Sequence, residues 1–284
     1  MLYTEEWKDY ELIDASNGYK YERWGSIYLL RPDPVVIWDN GNLEDKYKGK
    51  IDAIYHRSNK GGGYWENLKQ VPPRWEIKYK NLTFNIKQMG FKHTGLFPEQ
   101  ASNWDYLMEN VKENDNVLNL FAYTGAATLA CLSKGANVVH VDSSRGMIDW
   151  AKENVKSSSL EDKNVRFMVD DVIKFVKREI RRGHKYDFII MDPPSYGRGA
   201  NKEVWSIEKD LVPLIELCSE LLKDKSSLLI NSYSGLSNEV FKNIIETTII
   251  SKLGGTVESG EIGIKSTSNN LLLPCGIYCR WKNY

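Results

Sequence analysis

Apolar runs of strand length alternate with longer amphipathic stretches between residues 117 and 250. The pattern predicts strands near 117–121, 137–142, 164–169, 186–191 and 226–232. It predicts helices near 101–111, 125–134, 144–158, 171–182, 204–222 and 236–250. Crossover connections of this length between successive strands imply a parallel sheet with helices on both faces. This part of the sequence therefore predicts an α/β domain. Beyond it, residues 256–265 and 273–281 are two predicted strands joined by a turn at 266–270.

The first ninety residues are predicted to be rich in β-structure. The strand candidates are residues 21–25, 26–30, 34–38, 75–79 and 82–86. Lys80-Asn81 is the predicted turn of a hairpin between the last two, and residues 58–63 predict a flexible loop or a tight turn. We therefore expect a small β-rich domain over residues 1–90 and a larger domain over residues 91–284. Residues 91–100, with Gly95 and Pro98 in an aromatic stretch, predict a shaped loop between the two.

The first predicted strand of the larger domain leads through a glycine turn into a helix. Backbone N–H groups are free at a helix N-terminus, so the turn ending at Gly125 favours a nucleotide-like ligand. The next predicted strand ends at Asp142, a carboxylate able to accept two ribose hydroxyls. An ordinary αβ crossover with a helix-capping aspartate explains the same residues, and these two features alone leave both interpretations open.

A third motif follows the strand near 186–191: Asp192-Pro193-Pro194-Ser195-Tyr196. Together with the turn Phe121-Ala122-Tyr123-Thr124-Gly125, it resembles class I S-adenosylmethionine-dependent methyltransferases. Within them, the chain resembles the ribosomal-RNA large-subunit methyltransferase group that carries a Phe-x-Tyr-Thr-Gly turn and an Asp-Pro-Pro loop. The resemblance covers roughly residues 90–284. It implies an enzyme with a Rossmann-like sheet closed by an antiparallel hairpin, S-adenosyl-L-methionine as cofactor and ribosomal RNA as substrate.

The resemblance and the chemistry of the cofactor together assign the cofactor-binding residues. Asp142, followed by Ser143, is assigned to the ribose, and Asp171 is favoured over Asp170 for the adenine. Asp171 is also suited to cap a helix N-terminus, and the two roles can coexist. The full predicted set is Phe97, Gln100, Phe121, Ala122, Tyr123, Thr124, Gly125, Asp142, Ser143, Asp170, Asp171 and Asp192.

The predicted catalytic residues are Asp192, Pro193, Pro194 and Tyr196. Two prolines fix the backbone and remove two N–H donors, which leaves carbonyls to face the site. A carboxylate and a fixed carbonyl can accept both protons of an exocyclic amine and orient its lone pair towards the methyl group. Methyl transfer is a direct displacement, so most of the catalysis would be alignment. Tyr196 is a candidate to stack on a base. The alternative is a rigid loop with no substrate role.

Cysteine placement favours a nitrogen acceptor over a carbon acceptor. Methylation at C5 of a pyrimidine requires a cysteine nucleophile. Related cytosine-C5 enzymes place it near the Asp-Pro-Pro loop or at the end of the fifth strand, and here residues 230–234 contain no cysteine. The four cysteines are Cys131, Cys218, Cys275 and Cys279, inside predicted helices and the last predicted strand. They show no zinc spacing and no disulfide framework, so no metal is expected.

Charge is segregated along a chain whose formal net charge is zero. Residues 1–45 hold 4 Lys/Arg and 10 Asp/Glu, whereas residues 46–92 hold 11 Lys/Arg, 3 Asp/Glu and eight aromatic residues. Basic side chains interleaved with aromatic ones suit phosphate contact and base stacking. A solvated β-rich surface over core aromatics is the equally weighted alternative. A second basic cluster lies near the helix at 171–182, and Arg198 is a candidate phosphate contact, although such a cluster is usually a solvated face.

Three other classes of function are alternatives to a ribosomal-RNA methyltransferase. They are a methyltransferase of proteins or small molecules, a non-catalytic RNA-binding protein of the same fold, and an NAD-dependent reductase. The last is disfavoured because the first turn lacks Gly-x-Gly-x-x-Gly. With 42% hydrophobic residues, no membrane-length apolar stretch and no signal-peptide pattern, a cytoplasmic enzyme is expected. The sequence leaves the oligomeric state open.

Overall fold

The computed structural model describes residues 1–58, 62–198 and 204–284. The chain forms two compact units. The first comprises Met1–Ser102 with Gly263–Cys275, and the second comprises Asn103–Ile262 with Gly276–Tyr284. The expected domain boundary after residue 90 falls within the first unit, which also takes in a segment close to the C-terminus.

Strands make up most of the first unit. They are β1 (Tyr10–Ser16), β2 (Tyr19–Trp24), β3 (Ile27–Pro32), β4 (Ala53–Arg57), β5 (Gly63–Asn67), β6 (Trp75–Tyr79) and β7 (Leu82–Ile86). Strands β1 to β5 form one sheet in that order, in which the β3–β4 pair is parallel and the other pairs are antiparallel. The short helix α1 (Leu43–Lys46) contributes Leu43 to a core with Tyr21, Leu30 and Ile54.

Part of the sequence-based assignment of the first unit needs correction. Residues 34–38 are not a strand, because Pro32 and Pro34 supply no N–H for a ladder and the Val36 N–H donates instead to the Asp33 carbonyl at 3.2 Å. Strands β1, β4 and β5 were not predicted. The β6–β7 hairpin is confirmed, with Lys80 in the left-handed region at φ 51°. Of the predicted loop at 58–63, residues 59–61 lie outside the described residues.

The second unit is built on a seven-stranded sheet. Its strands are β8 (Asn116–Leu120), β9 (Asn137–Asp142), β10 (Val165–Val169), β11 (Tyr186–Met191), β14 (Leu222–Ser232), β15 (Thr256–Lys265) and β16 (Leu272–Lys282). A small hairpin lies between β11 and β14 in sequence and consists of β12 (Tyr196–Arg198) and β13 (Val204–Ser206). The helices are α2 (Ala101–Asn110), α3 (Ala126–Leu132), α4 (Arg145–Ser157), α5 (Val172–Arg181), α6 (Ile207–Ser219), α7 (Asn238–Ile245) and α8 (Ser251–Leu253).

Strand order in this sheet is β10-β9-β8-β11-β14-β16-β15. The pairs from β10 to β14 are parallel and β14–β16 is antiparallel, so the predicted parallel sheet with an antiparallel strand in its closing hairpin is confirmed. The chain runs from β8 outwards to β10 and then returns to add β11 on the other side of β8. Open α/β sheets bind ligands at such a switch point, beyond the carboxyl ends of the strands.

Some element bounds differ from those predicted. Residues 204–206 form β13 instead of the first turn of a helix, and β14 begins at Leu222, four residues earlier than expected. The helix predicted at 236–250 is α7 followed by a π-helical turn, Glu246–Ile250, that leads into α8. Among the helices of the described residues, none combines the length and apolar character needed to cross a membrane.

Candidate cofactor pocket and active site

The turn between β8 and α3 has an unusual backbone. Phe121, Tyr123 and Gly125 all have positive φ angles, of 54°, 50° and 88°. Left-handed conformations are uncommon for residues other than glycine, and they persist where surrounding structure holds them, often at functional sites. At Gly125, a Cβ atom would lie 3.0 Å from the Ala151 Cβ, so both the φ angle and the close approach of α4 require glycine.

Neighbouring elements fasten this turn through its backbone. The Ala122 N–H donates to the Val141 carbonyl at 3.0 Å, which ties the turn to β9. The Thr124 carbonyl accepts from Asn154 Nδ2 at 2.9 Å, which ties it to α4. The turn is therefore rigid before any ligand binds.

Asp142, at the end of β9, holds the same turn with its carboxylate. Oδ2 accepts from the Tyr123 N–H at 2.9 Å, and Oδ1 accepts from the Ser144 N–H at 2.8 Å. Burial raises the pKa of Asp142, and these two N–H groups oppose the rise. Each oxygen has a lone pair left, so the carboxylate can both brace Tyr123 and accept hydroxyls from a ligand.

A buried polar network supports the turn from within the sheet. Thr128 Oγ1 lies 2.9 Å from Asn119 Nδ2 and 2.9 Å from His140 Nδ1, and all three side chains are buried. The Thr128 hydroxyl accepts from the Asn119 amide, and its hydrogen bond with His140 Nδ1 joins the three side chains into one network. Burial lowers the pKa of His140 to about 3, although a hydrogen bond with the Tyr123 backbone acts in the opposite direction. The ring is therefore neutral. The sequence analysis missed this network, although Asn119 and His140 interrupt two apolar strands and were a visible signal.

A cleft opens beyond the carboxyl ends of β8, β9 and β10. Its lining residues are Phe121, Asp142, Ser143, Asp171, Val172, Ile173, Pro194, Gly197, Arg198, Val204 and Trp205. The structure thus brings together four of the predicted cofactor residues and one predicted catalytic proline. Asp171 also caps α5, since its Oδ1 accepts from the Lys174 N–H at 2.9 Å. Asp170 is absent from this lining and forms an ion pair with Arg178 instead.

The Asp-Pro-Pro segment begins directly after β11 and is held from the β12–β13 hairpin. Trp205 Nε1 donates to the Pro194 carbonyl at 2.6 Å, and its ring centroid lies 4.9 Å from that of Phe121. The Pro194 carbonyl is therefore occupied, whereas we find no partner for the Pro193 carbonyl in the described part of the chain. Tyr196 is 56% exposed, and its hydroxyl accepts from Arg198 Nε at 3.2 Å. Trp205 could not be recognised from sequence patterns, because its two contacts reach 11 and 84 residues back along the chain.

Phe97 and Gln100, predicted from the resemblance to touch the cofactor, belong to the first unit. Gln100 is buried in a 3₁₀ turn, and its N–H donates to the Phe97 carbonyl at 3.1 Å. The Phe97 ring lies 5.3 Å from that of His93. Their contact with the cofactor stays a prediction.

Three of the four cysteines are buried, since Cys131, Cys218 and Cys279 are at most 1% exposed, and Cys275 is partly buried. Burial raises the pKa of all four thiols, that of Cys279 to about 12. Such thiols are inert at neutral pH.

In the basic stretch of residues 46–92, several aromatic residues are structural. Tyr55, Tyr79 and Phe84 are at most 2% exposed, as the core alternative requires. Tyr64 and Phe91 are 62% and 60% exposed and remain candidates for base stacking. Among the lysines, Lys46 pairs with Asp14 and Lys69 with Asp52, while Lys48 and Lys50 are exposed. Lys60 lies outside the described residues.

Comparison with known proteins identifies the family. A family model described as S-adenosylmethionine-dependent methyltransferase matches residues 48–234. The match covers more than half of the chain, and the chain belongs to this family. The resemblance drawn from the two motifs, and S-adenosylmethionine as cofactor, are thereby confirmed.

Individual relatives agree with this assignment. Ribosomal RNA large subunit methyltransferase K/L of Syntrophotalea carbinolica is 32% identical over 184 residues, which cover 64% of this chain and 25% of the relative. Ribosomal RNA large subunit methyltransferase I of Salmonella arizonae is 35% identical over 241 residues, covering 83% and 57%. The crystal structure of a SAM-dependent methyltransferase from Agrobacterium tumefaciens matches at 33% identity with a TM-score of 0.92, covering 99% of this chain and 92% of that one. The chain therefore spans about a quarter of the length of the first curated relative and just over half of the length of the second.

Proposed function

We propose that this protein transfers a methyl group from S-adenosylmethionine to a base of ribosomal RNA, with a nitrogen atom as the favoured acceptor. The observation that carries the proposal is the cleft in which Asp142, Asp171 and Pro194 converge at the switch point of the sheet. The two curated relatives, both named as ribosomal RNA large subunit methyltransferases, support RNA as the substrate class.

The residues of the cleft suit the cofactor. The Asp142 carboxylate would accept ribose hydroxyls, and the Asp171 carboxylate beside Val172 and Ile173 would provide an acceptor next to an apolar slot for adenine. The Phe121–Gly125 turn would receive the methionine part, because Gly125 carries no side chain at the helix N-terminus and adopts the left-handed backbone without strain. When bound, S-adenosylmethionine supplies an activated methyl group.

On the acceptor side, Asp192 and the Pro193 carbonyl would accept the two protons of an exocyclic amine. The nitrogen lone pair would then leave conjugation and point towards the methyl group, so the chain contributes chiefly alignment. A carbon acceptor would need a thiolate nucleophile. The buried cysteines, with their raised pKa values, support the nitrogen acceptor instead.

Mass spectrometry of ribosomal RNA nucleosides tests this function. Cells that lack the gene should lose one methylated nucleoside, which the wild-type gene but not its Asp192→Ala variant restores. The identity of the lost nucleoside reports the methylated atom. An unchanged nucleoside profile would contradict ribosomal RNA as the substrate, and loss of a C5-methylated pyrimidine would contradict the nitrogen acceptor.

Asp142→Ala should weaken S-adenosylmethionine binding by about 1–3 kcal/mol, the usual cost of leaving polar groups unpaired. The change removes the ribose acceptor and the brace on the Tyr123 N–H. Asp142→Asn, which keeps one carbonyl acceptor, should lose less. Because burial raises the pKa of Asp142, affinity of the wild type should also fall with acidification, at a higher pH than an ordinary aspartate would give. Titration calorimetry measures all of these, and unchanged affinity in the alanine variant would remove Asp142 from the cofactor site.

Residues 46–92 are proposed to contact RNA as well. Lys48→Glu with Lys50→Glu should flatten the dependence of RNA affinity on salt by about one unit of slope per lost phosphate contact. Tyr64→Ala should lower affinity without changing the slope, because stacking resists salt. RNA binding over a series of potassium chloride concentrations separates the two effects. If the charge-reversed protein keeps the wild-type slope, this stretch is only a solvated face.

A further inference from the structure

Helix α5 carries a row of positive charges that repel one another. Its inner side buries Val172, Phe175, Val176 and Glu179 against the sheet. The cationic ridge on and beside its outer side consists of Arg166 on β10, Lys174, Lys177, Arg178, Arg181 and Arg182 on the helix and its C-cap, and Lys185 just after it. Like charges three or four positions apart destabilise a helix. This helix contains several such pairs, including Lys174 with Lys177 and Lys177 with Arg181.

Known stabilising effects account for only part of the ridge. Positive charge near a helix C-terminus is favourable, which explains Arg181 and Arg182, but Lys174 lies in the first turn, where the helix dipole disfavours it. Arg178 pairs with Asp170, and Arg182 pairs with Glu179. Within the described residues, neither Lys177 nor Arg181 has an acidic partner.

Helix α4 of the same sheet shows the ordinary pattern for a solvated surface. Its exposed charged residues Arg145, Asp149, Lys152, Glu153 and Lys156 alternate in sign, and Lys152 pairs with Asp149 at 3.6 Å. From Val172 to Arg182, in contrast, five cations face one acid, the buried Glu179. The concentration of charge is thus particular to α5.

The ridge begins at the cofactor cleft. Asp171, Val172 and Ile173 line that cleft, and Lys174 is the next residue. With a rise of about 1.5 Å per residue, the helix carries its cations about 10 Å from there to Arg181.

Beyond Arg181 lies a second cleft, of about 440 Å³, at the amino ends of the strands. Its lining includes Arg166, Lys185, the His184–Glu179 pair and the amide residues Asn116, Asn137 and Asn164. The cations therefore lead from one cleft to another whose lining is polar.

We propose that the cationic ridge binds the phosphate backbone of the substrate RNA beside the methylated base. The inference rests on the proposed function and adds to it the surface on which the RNA lies. Phosphates placed along the ridge relieve the repulsion between its cations, and released counterions add favourable entropy.

The test compares two double variants with equal changes in charge. Lys177→Glu with Arg181→Glu alters the ridge, and Lys152→Glu with Lys156→Glu alters α4 as the matched control. The probe is protein-free ribosomal RNA of the large subunit from cells that lack the gene. RNA affinity is measured over a potassium chloride series, methylation over a series of RNA concentrations, and S-adenosylmethionine affinity by calorimetry.

The ridge variant should bind the RNA about tenfold or more weakly at low salt, with a salt slope flattened by up to about two units. Its KM for RNA should rise while kcat and cofactor affinity stay at the wild-type values, and the control should keep the wild-type slope and KM. The ridge inference would be wrong if the ridge variant kept the wild-type salt slope and KM, or if the control lost as much RNA affinity as the ridge variant. Either result would leave the proposed function intact. If the wild-type protein neither binds nor methylates this RNA, the proposed function fails, and the ridge inference with it.

Discussion

Asp192→Ala is expected to abolish methyl transfer while leaving affinity for S-adenosylmethionine largely intact. The carboxylate is assigned to the acceptor amine, and without it the nitrogen lone pair stays in conjugation and is no longer aimed at the methyl group. Loss of one positioned hydrogen-bonding group in an active site typically lowers kcat by about 10²–10³-fold, and in the proposed mechanism the group would also fix the orientation of the nucleophile. Single-turnover transfer of a labelled methyl group to the true RNA substrate measures the effect.

Two further variants make this result specific. Asp192→Asn keeps a carbonyl acceptor in the same place and should retain more activity than alanine. Asp149→Ala removes an exposed carboxylate from α4 and should leave turnover unchanged. Near-normal turnover in Asp192→Ala would contradict the amine mechanism. A large loss of cofactor affinity would instead assign Asp192 chiefly to cofactor binding, since Asp192 is also among the predicted cofactor-binding residues.

The architecture of the second unit could be predicted because its local and long-range patterns agree. Strands β8, β9 and β11 are short apolar runs separated by amphipathic helices, and parallel strands buried on both faces have that sequence pattern. The polar residues that end these strands, such as Asp142 and Asp192, must gather at one edge of a parallel sheet. For that reason Asp142, Asp171 and Pro194, far apart in sequence, could be expected in one place, and they line one cleft.

The residues that brace the site could not be predicted from the sequence, because their contacts depend on how distant segments fold together. Trp205 holds Pro194 and packs on Phe121, but only the path of the β12–β13 hairpin brings it there. In the first unit, strands such as β4 and β5 gain their stability from pairing and from a shared core, and their alternation in sequence is weak. Burial also divides the aromatic residues of the basic stretch in a way that the sequence did not show, since Tyr79 lies in the core and Tyr64 does not.

The strongest expected effect on stability concerns a buried ion pair in the first unit. Arg31 donates to Glu22 with two nitrogens, Nε to Oε2 at 2.6 Å and Nη2 to Oε1 at 2.8 Å, and the Tyr10 hydroxyl donates to Oε1 at 2.8 Å. Glu22 is fully buried and Arg31 is 4% exposed. Arg31→Met should lower the free energy of unfolding by about 3–5 kcal/mol, because the buried carboxylate loses the partner that binds both of its oxygens. The carboxylate keeps the Tyr10 hydroxyl and Lys20, whose Nζ lies 3.7 Å away. Urea unfolding followed by tryptophan fluorescence measures the loss.

A double variant and a control separate loss of the charge partner from loss of packing. Adding Glu22→Leu to Arg31→Met removes the buried carboxylate and should restore much of the stability. Arg23→Met breaks the partly exposed pair with Glu11 on the same sheet and should change stability by about 1 kcal/mol or less. If Arg31→Met loses no more than Arg23→Met, the buried pair does not stabilise the first unit.

The same pair sets the direction of a pH effect. Burial alone would raise the pKa of Glu22, but Arg31, Lys20 and the hydrogen bonds from Arg31 and Tyr10 lower it to about 2. In the unfolded chain a glutamate titrates near its ordinary value, about 4.3. The contribution of Glu22 to folding stability is therefore complete above that value and is lost as the pH falls towards 2, because the unfolded state takes up the proton first.

The stability difference between the wild type and Arg31→Met should accordingly shrink as urea unfolding is repeated from neutral pH down to about pH 3. A difference that stays constant over this range would mean that the carboxylate of Glu22 is not the group that Arg31 stabilises.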